Sequence, residues 1–267
     1  MYNLIKSELY KLRFGKTYKG LCIFSIWCIF MTVVTSFNAE SSGLQFIATY
    51  INDRRYGFFI NTFSDVSNIK GIEFFASGMG WTLILVIGLT YVVSMFTCDE
   101  YVNGTYKSVL SYGNKRKYVY ISKLITICVG ICILVFAIPT MTLIIGTIIN
   151  GWGIKFEIEH INQMIKLLSI NAFIFISIAS VFMLIATIIK NKALLVTIGT
   201  CVLVSPVLLL DKIPLDILRN HPMFMLMDTC ANMPNQEFIT QIIFTCSIIT
   251  IVSIVVGIYI FENQDII

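Results

Sequence analysis

The patterns in this chain that could carry chemistry are short, and each is incomplete. Gly15-Lys16-Thr17 has the ending of a phosphate-binding loop, in which backbone amides, a lysine and a hydroxyl would hold a nucleotide. That loop also needs Gly five positions before Gly15, where Tyr10 stands, and no apolar strand precedes it. Cys128 and Cys132 share one face of a helix and could begin a metal site, but the only two histidines, His160 and His221, lie far along the chain. Two thiols in an apolar run read more simply as small buried hydrophobes. Asn103-Gly104-Thr105 matches a glycosylation acceptor but falls in a loop assigned below to the cytoplasm. There is no His-x-x-x-His pattern, and both histidines fall in segments outside the membrane, so no Ser/His/Asp set can gather inside it. One polar stretch remains, residues 98–123, which holds no reagent pattern but links two long apolar runs.

Those runs are the elements that must position everything else. Six of them, at 20–37, 76–97, 124–149, 168–189, 193–210 and 239–261, have no Asp, Glu, Lys or Arg in their centres. At about 1.5 Å per residue, 18 residues of helix cover roughly 27 Å, close to the ~30 Å of a bilayer core. The chain is 57% hydrophobic and 13% charged over 267 residues, too apolar for a soluble domain. The expected fold is all-α: a single transmembrane domain over 1–267 with six membrane-crossing helices. The segments between the runs are too short to bury a second core.

Orientation follows the basic residues. With the N-terminus inside, twelve Lys and Arg are cytoplasmic: Lys6, Lys11, Arg13, Lys16, Lys19, Lys107, Lys115, Arg116, Lys117, Lys123, Lys190 and Lys192. Seven are outside: Arg54, Arg55, Lys70, Lys155, Lys166, Lys212 and Arg219. Both termini are therefore expected in the cytoplasm. The net charge of +4 is this topology signal and not a nucleic-acid patch, because the cations flank span ends. The N-terminal run lacks the short core and A-x-A site of a cleaved signal, and no lipidation motif is present. Only Cys230 of the eight cysteines falls in an outer loop, so two loop cysteines cannot pair outside.

Tyr2, Ile5, Leu9 and Leu12 repeat at helical spacing, with Lys6, Glu8, Lys11 and Arg13 largely opposite. This predicts an amphipathic helix lying in the membrane interface ahead of the first span. The outer loop 38–75 is expected to hold a short amphipathic helix, with Arg54 and Arg55 in a solvated turn. Gly78, Gly80 and Gly88 should let helices approach closely. Trp81 and Trp152 on one side, and Tyr118, Tyr120 and Tyr259 on the other, fit interfacial belts. Pro139 and Pro206 should kink their helices. Lys190-Asn191-Lys192 makes a tight hairpin. Residues 211–238 are too apolar for an ordinary loop and too broken by Pro214, Pro222 and Pro234 for a span, so a short re-entrant or interfacial helix is expected there. In 98–123, Thr105 can cap a short helix running to Leu110 or Ser111, and Gly113 can end it.

Read as Glu100-x-x-x-Gly104-Thr105-x-Lys107-x-x-Leu110-x-x-Gly113, followed by Lys115-Arg116 and Lys123, that stretch resembles the coupling-helix region of type-2 ABC exporter permeases. Leu9-x-Lys11-Leu12 before the first run and Phe261 to Asp265 after the last are similar to the same family, and the order of spans and loops fits it along the whole chain. Size and short loops resemble the subgroup moving peptides in low-GC Gram-positive bacteria: bacteriocin or lantibiotic immunity, bacitracin resistance and export of phenol-soluble-modulin-like toxins. The resemblance implies a permease subunit in the bacterial plasma membrane with no ATPase site, cofactor or metal of its own. It implies a second copy or a related permease, and two separate ATPase subunits that bind ATP and Mg. It also implies an amphipathic peptide cargo in contact with the bilayer. Glu100, Gly104, Thr105, Lys107, Leu110 and Gly113 would then couple the ATPase to the spans. The absence of ionisable residues inside the runs agrees with an external energy source. A membrane sensor or scaffold, a permease for another hydrophobic drug or lipid-like substrate, and an intramembrane enzyme are the alternatives. The path walls would be apolar with span hydroxyls and Asn171, residue types that serve equally in packing.

Overall fold

The computed structural model describes residues 1–37, 43–51, 54–66, 69–153, 158–209 and 215–264. Asp53, Lys155, Lys212, Pro214 and Asp265, together with the side chain of Pro206, lie outside them. The order is α1 (Tyr2–Phe14), α2 (Lys16–Ser36), β1 (Leu44–Ile51), β2 (Arg54–Ile60), α3 (Gly71–Gly80) and α4 (Thr82–Val93). A π-helical turn (Ser94–Cys98) leads to α5 (Asp99–Val102), α6 (Thr105–Ser111), α7 (Arg116–Asn150), α8 (Ile158–Ile189) and α9 (Lys192–Leu208). α10 (Leu215–Leu218), α11 (Pro222–Ala231) and α12 (Gln236–Asn263) complete it.

Among the described residues, five helical stretches are long and apolar enough to cross a membrane: Lys16–Ser36, Gly71–Val102, Arg116–Asn150, Ile158–Ile189 and Gln236–Asn263. The chain is thus a polytopic, largely helical membrane protein. The run at 193–210 forms the 17-residue α9, just short of those five. α8 lies at the centre. Phe175, Ala179, Phe182 and Ala186 are at most 1% exposed and recur at steps of four and three, one full stripe of a helix. α2 and α12 bury little, and their outward faces carry Ile23, Phe30, Phe244 and Val255. Close packing depends on small residues where the sequence placed them. A Cβ on Gly78 would meet Pro139 Cα at 2.6 Å and Thr142 closer still, so α3 and α7 touch there backbone to backbone. Pro139 lies inside α7 without ending it. The α8–α9 turn is as tight as expected: Lys190 takes φ +53°, and the Asn191 side chain accepts from the Ala193 and Leu194 amides at 3.0 and 3.3 Å.

The fold is not all-α. Residues expected as a surface helix pair as an antiparallel hairpin, from Leu44↔Ile60 to Ile51↔Arg54. The segment is rich in Ile, Phe, Tyr and Thr, which fit a pleated surface better than a helix. Between Phe46↔Phe58 and Thr49↔Tyr56, two residues oppose Gly57, a bulge in which Ile47 has φ +49° and Gly57 φ +139°. β2 is buried from Tyr56 to Ile60, while β1 stays largely open. The hairpin rests on α11, where Tyr56 and Phe224 pack with ring centroids 4.8 Å apart. α11 answers the expected short helix in 211–238. His221 caps it, accepting from the Met223 amide at 3.2 Å, and Pro222 occupies the first turn.

Tertiary packing overrides other expectations. Arg54 is not a solvated turn residue: it donates to Asp228 Oδ1 at 3.1 and 2.8 Å, and Asp228 is 3% exposed. Burial raises the Asp228 carboxyl, and Arg54 and Asn232 oppose that shift. Trp81 and Tyr120 are buried instead of lying in belts, and Trp81 Nε1 donates to Thr32 Oγ1 at 2.7 Å. Asn171 is fully buried and accepts from Thr229 at 3.2 Å, a packing role in this chain. The buried hydroxyls of Ser177 and Ser180 bond back to carbonyls three residues earlier. His160 lies in the first turn of α8 and not in a loop.

Candidate functional site

The end of the bundle that carries α1, called basal here, gathers the residues of the 98–123 stretch. The second long helix passes through its π-helical turn, which turns the chain's face just before Asp99 and Glu100. α5 stops at Asn103. Gly104, at φ +65°, reverses the backbone and precedes α6. Thr105 is the first helical residue and not the cap: its hydroxyl donates to the Glu100 carbonyl at 3.4 Å. Gly113 follows α6 at φ +81°, the left-handed exit expected of it.

Glu100 belongs to a four-residue ion cluster. Lys123, fully buried, contacts Glu100 Oε2 at 2.7 Å and Glu8 Oε2 at 3.1 Å. Lys11 closes the ring, at 2.9 Å from Glu8 Oε1 and 3.1 Å from Glu100 Oε1. The Lys123 ammonium also lies 4.7 Å from the Phe96 ring centroid and 5.2 Å from that of Tyr106. A cation without solvent access is tolerable only when paired this closely. Burial alone would lower the Lys11 pKa, but its hydrogen bond to Glu8 and the charges of both carboxylates outweigh that and raise it. The cluster ties α1, α5 and α7 together.

Two further ties reach the same segment. Lys192, at the start of α9, pairs with Asp99, and Lys190 sits 5.2 Å from the Tyr101 ring. From the other side Phe261 of α12 packs against Tyr101, Tyr106 and Tyr120 at 6.5, 5.3 and 6.1 Å. Arg116 donates to the Phe261 and Glu262 carbonyls at 3.2 and 3.0 Å, satisfying the end of α12. Gln264 donates to the Thr187 carbonyl of α8 at 2.6 Å. Tyr106 is fully buried, which pushes its phenol well up.

The other face of the segment is uncovered. Val102 is 71% and Tyr112 84% exposed, with Asn103, Lys107, Ser108 and Ser111 beside them. Of the six residues expected to couple, Glu100 turns inward to the ion cluster, Gly104 and Gly113 shape the turns, and Thr105 and Lys107 face outward. Leu110 does not present itself outward: it is half-buried with Val109 against the chain's own core. The sequence reading missed Glu8, Lys11, Asp99, Lys123 and Lys192 as partners. A signal for Glu8 was available: it shares helical phase with Ile5 and Leu12, the apolar side of α1. Lys123 carried none beyond its place at the edge of an apolar run. Among the described residues no group of three or more His, Cys, Asp or Glu could hold a metal ion.

A family model described as ABC-2 family transporter protein matches residues 4–207, which is more than half of the chain. No curated protein and no solved structure matches.

Proposed function

We propose, for a chain that belongs to the ABC-2 transporter family, that it is the permease subunit of an ATP-driven exporter of amphipathic peptides. Members of this family are membrane permease subunits without catalytic machinery, and they work with a separate ATPase. The finer reading is ours. Two permease chains and two ATPase subunits assemble, the ATPase holds ATP and Mg, and the exposed side of α5 and α6 docks into it. The observation that supports this most is the convergence on Asp99–Ser111: one face is tied to α1, α7, α9 and α12, and the other is free. A segment pushed from the free face would move four membrane elements together.

We take α9 as a sixth span. Its 17 residues sit at the lower limit of the roughly 17–25 that cross a bilayer. An even number of spans then puts both termini on one side, which the Lys and Arg distribution makes the bacterial cytoplasm, and the whole chain forms one transmembrane domain. The apolar outer faces of α2 and α12 suit lipid and a second permease copy. A peptide cargo is supported by the resemblance of the short-looped chain to peptide exporters.

The test is co-purification and turnover. The chain expressed with its ATPase should purify as a two-plus-two assembly that hydrolyses ATP faster when an amphipathic peptide is added. Hydrolysis by the chain alone, or an active complex lacking a second protein, would refute the reading.

A further inference from the structure

Lys16 and Thr17 border a cavity of about 550 Å³ between α2 and α4. Its walls include Leu21, Phe24, Gly88, Tyr91, Val92 and Met95, apart from the polar edge formed by Lys16 and Thr17. A second cavity of about 260 Å³ adjoins it, sharing Lys16, Thr17, Val92 and Met95, and extends to Asp99. The volume is in the range of sites that hold a small molecule. Its orientation identifies the molecule further. From Lys16 to Phe24 along α2 is about 12 Å of helix rise, close to the ~15 Å depth of one leaflet. With α2 crossing the bilayer, a polar edge at the interface would leave the apolar body at hydrocarbon depth. Tyr91 and Gly20 are exposed on its rim, so the cavity opens sideways, where lipid would be.

The charge at the edge is positive. Lys16 is exposed and, among the described residues, has no hydrogen-bond or ion-pair partner; neither does the Thr17 hydroxyl. Arg13 and Lys19 stand three residues to either side of Lys16 in the chain, each within 6 Å of the Phe14 ring and without an acidic partner among the described residues, though neither lines the groove. Asp99, the one acid in the lining, is already paired with Lys192. We infer that this groove is a binding site for one anionic phospholipid of the leaflet on the N-terminal side, its phosphate on Lys16 and Thr17 and an acyl chain along Leu21, Phe24 and Val92. The lipid headgroup would sit next to the π-helical turn and Asp99, and so beside the segment tied to four elements. The inference needs neither a particular cargo nor an ATPase.

Native mass spectrometry of the full-length chain in detergent, titrated with phosphatidylglycerol and with phosphatidylcholine of equal acyl length, tests it. Wild type should retain the anionic lipid about tenfold better. Lys16→Glu should abolish that preference, while Lys117→Glu, the same charge change on an exposed residue outside the groove, should keep it. Gly20→Trp has room, since no heavy atom lies within 4 Å of a Cβ there, and should fill the groove and reduce retention of both lipids. Thermal unfolding confirms that each variant is folded. No preference in wild type, an unchanged preference in Lys16→Glu, or unchanged retention in Gly20→Trp overturns the assignment.

Discussion

Lys123 shows how one buried charge organises its surroundings. Truncating a member of a buried ion pair typically costs roughly 3–5 kcal/mol, because the partner charges are left without compensation. Lys123→Ala should therefore lower the thermal midpoint in detergent well below that of Lys117→Ala, whose ammonium is exposed. Equal midpoints would show that the cluster contributes no stability. His221 should make stability depend on pH. Burial lowers its pKa from 6.5 to about 4. In the window between those values the unfolded chain binds the extra proton, so stability is full above pH 6.5 and is lost as pH falls towards 4, by up to about 3 kcal/mol. His221→Asn keeps a capping side chain and removes the titration. Asp228, raised by burial, shifts stability in the opposite sense on acidification but is common to both proteins. The pH dependence of the midpoint should therefore be steeper in wild type than in His221→Asn; identical slopes would contradict the assignment.

For the elements, the two sides of α5 and α6 should behave differently. Leu110 packs against the chain itself, so Leu110→Asp buries an unpaired charge and should reduce folded protein before any question of coupling arises. Val102→Asp and Tyr112→Ala alter only the free face. They should leave the thermal midpoint unchanged and weaken ATPase binding by roughly 30-fold, the equivalent of an interface hot spot of about 2 kcal/mol. Measured binding equal to wild type for both would place the contact elsewhere. Gly104 and Gly78 are glycines for different reasons. No heavy atom lies within 4 Å of a Cβ on Gly104, so its constraint is the left-handed φ and not space, which costs an ordinary L-residue about 1–2 kcal/mol. Gly104→Asn should then be milder than Gly104→Val. At Gly78 the obstacle is the α7 backbone, and Gly78→Ala should lower the midpoint by prising α3 from α7. If Gly104→Asn and Gly104→Val melt alike, backbone strain is not the constraint.

On the scale of the molecule, topology is open to direct measurement. With native cysteines removed, Asn3→Cys, Asn114→Cys and Asn263→Cys should each react with an impermeant thiol reagent only after cells are permeabilised. Reaction of the last alone in intact cells would mean that α9 does not cross. The hairpin adds a second large-scale feature, since Arg54 and Asp228 fasten it to α11. The hairpin is thus clamped to its helix, and the Asp99–Ser111 segment is tied inward and left free outward.

The membrane class, most of the spans, the tight Lys190–Lys192 turn and the short helix between Gly104 and Gly113 were legible in the sequence because they are set by local quantities. Run length, the 3.6-residue period, basic flanks and glycine's access to positive φ act within a few residues. The β-hairpin was masked because its apolar residues serve either period, and the packing of α11 and α3 against β2 selects the strand. The position of Glu100 in the chain could be read, but its role in the cluster could not. Glu8, Lys11 and Lys123 meet it from 92, 89 and 23 residues away. No local pattern encodes which charges will share a site closed to water; the packing of α1 and α7 around that site decides it.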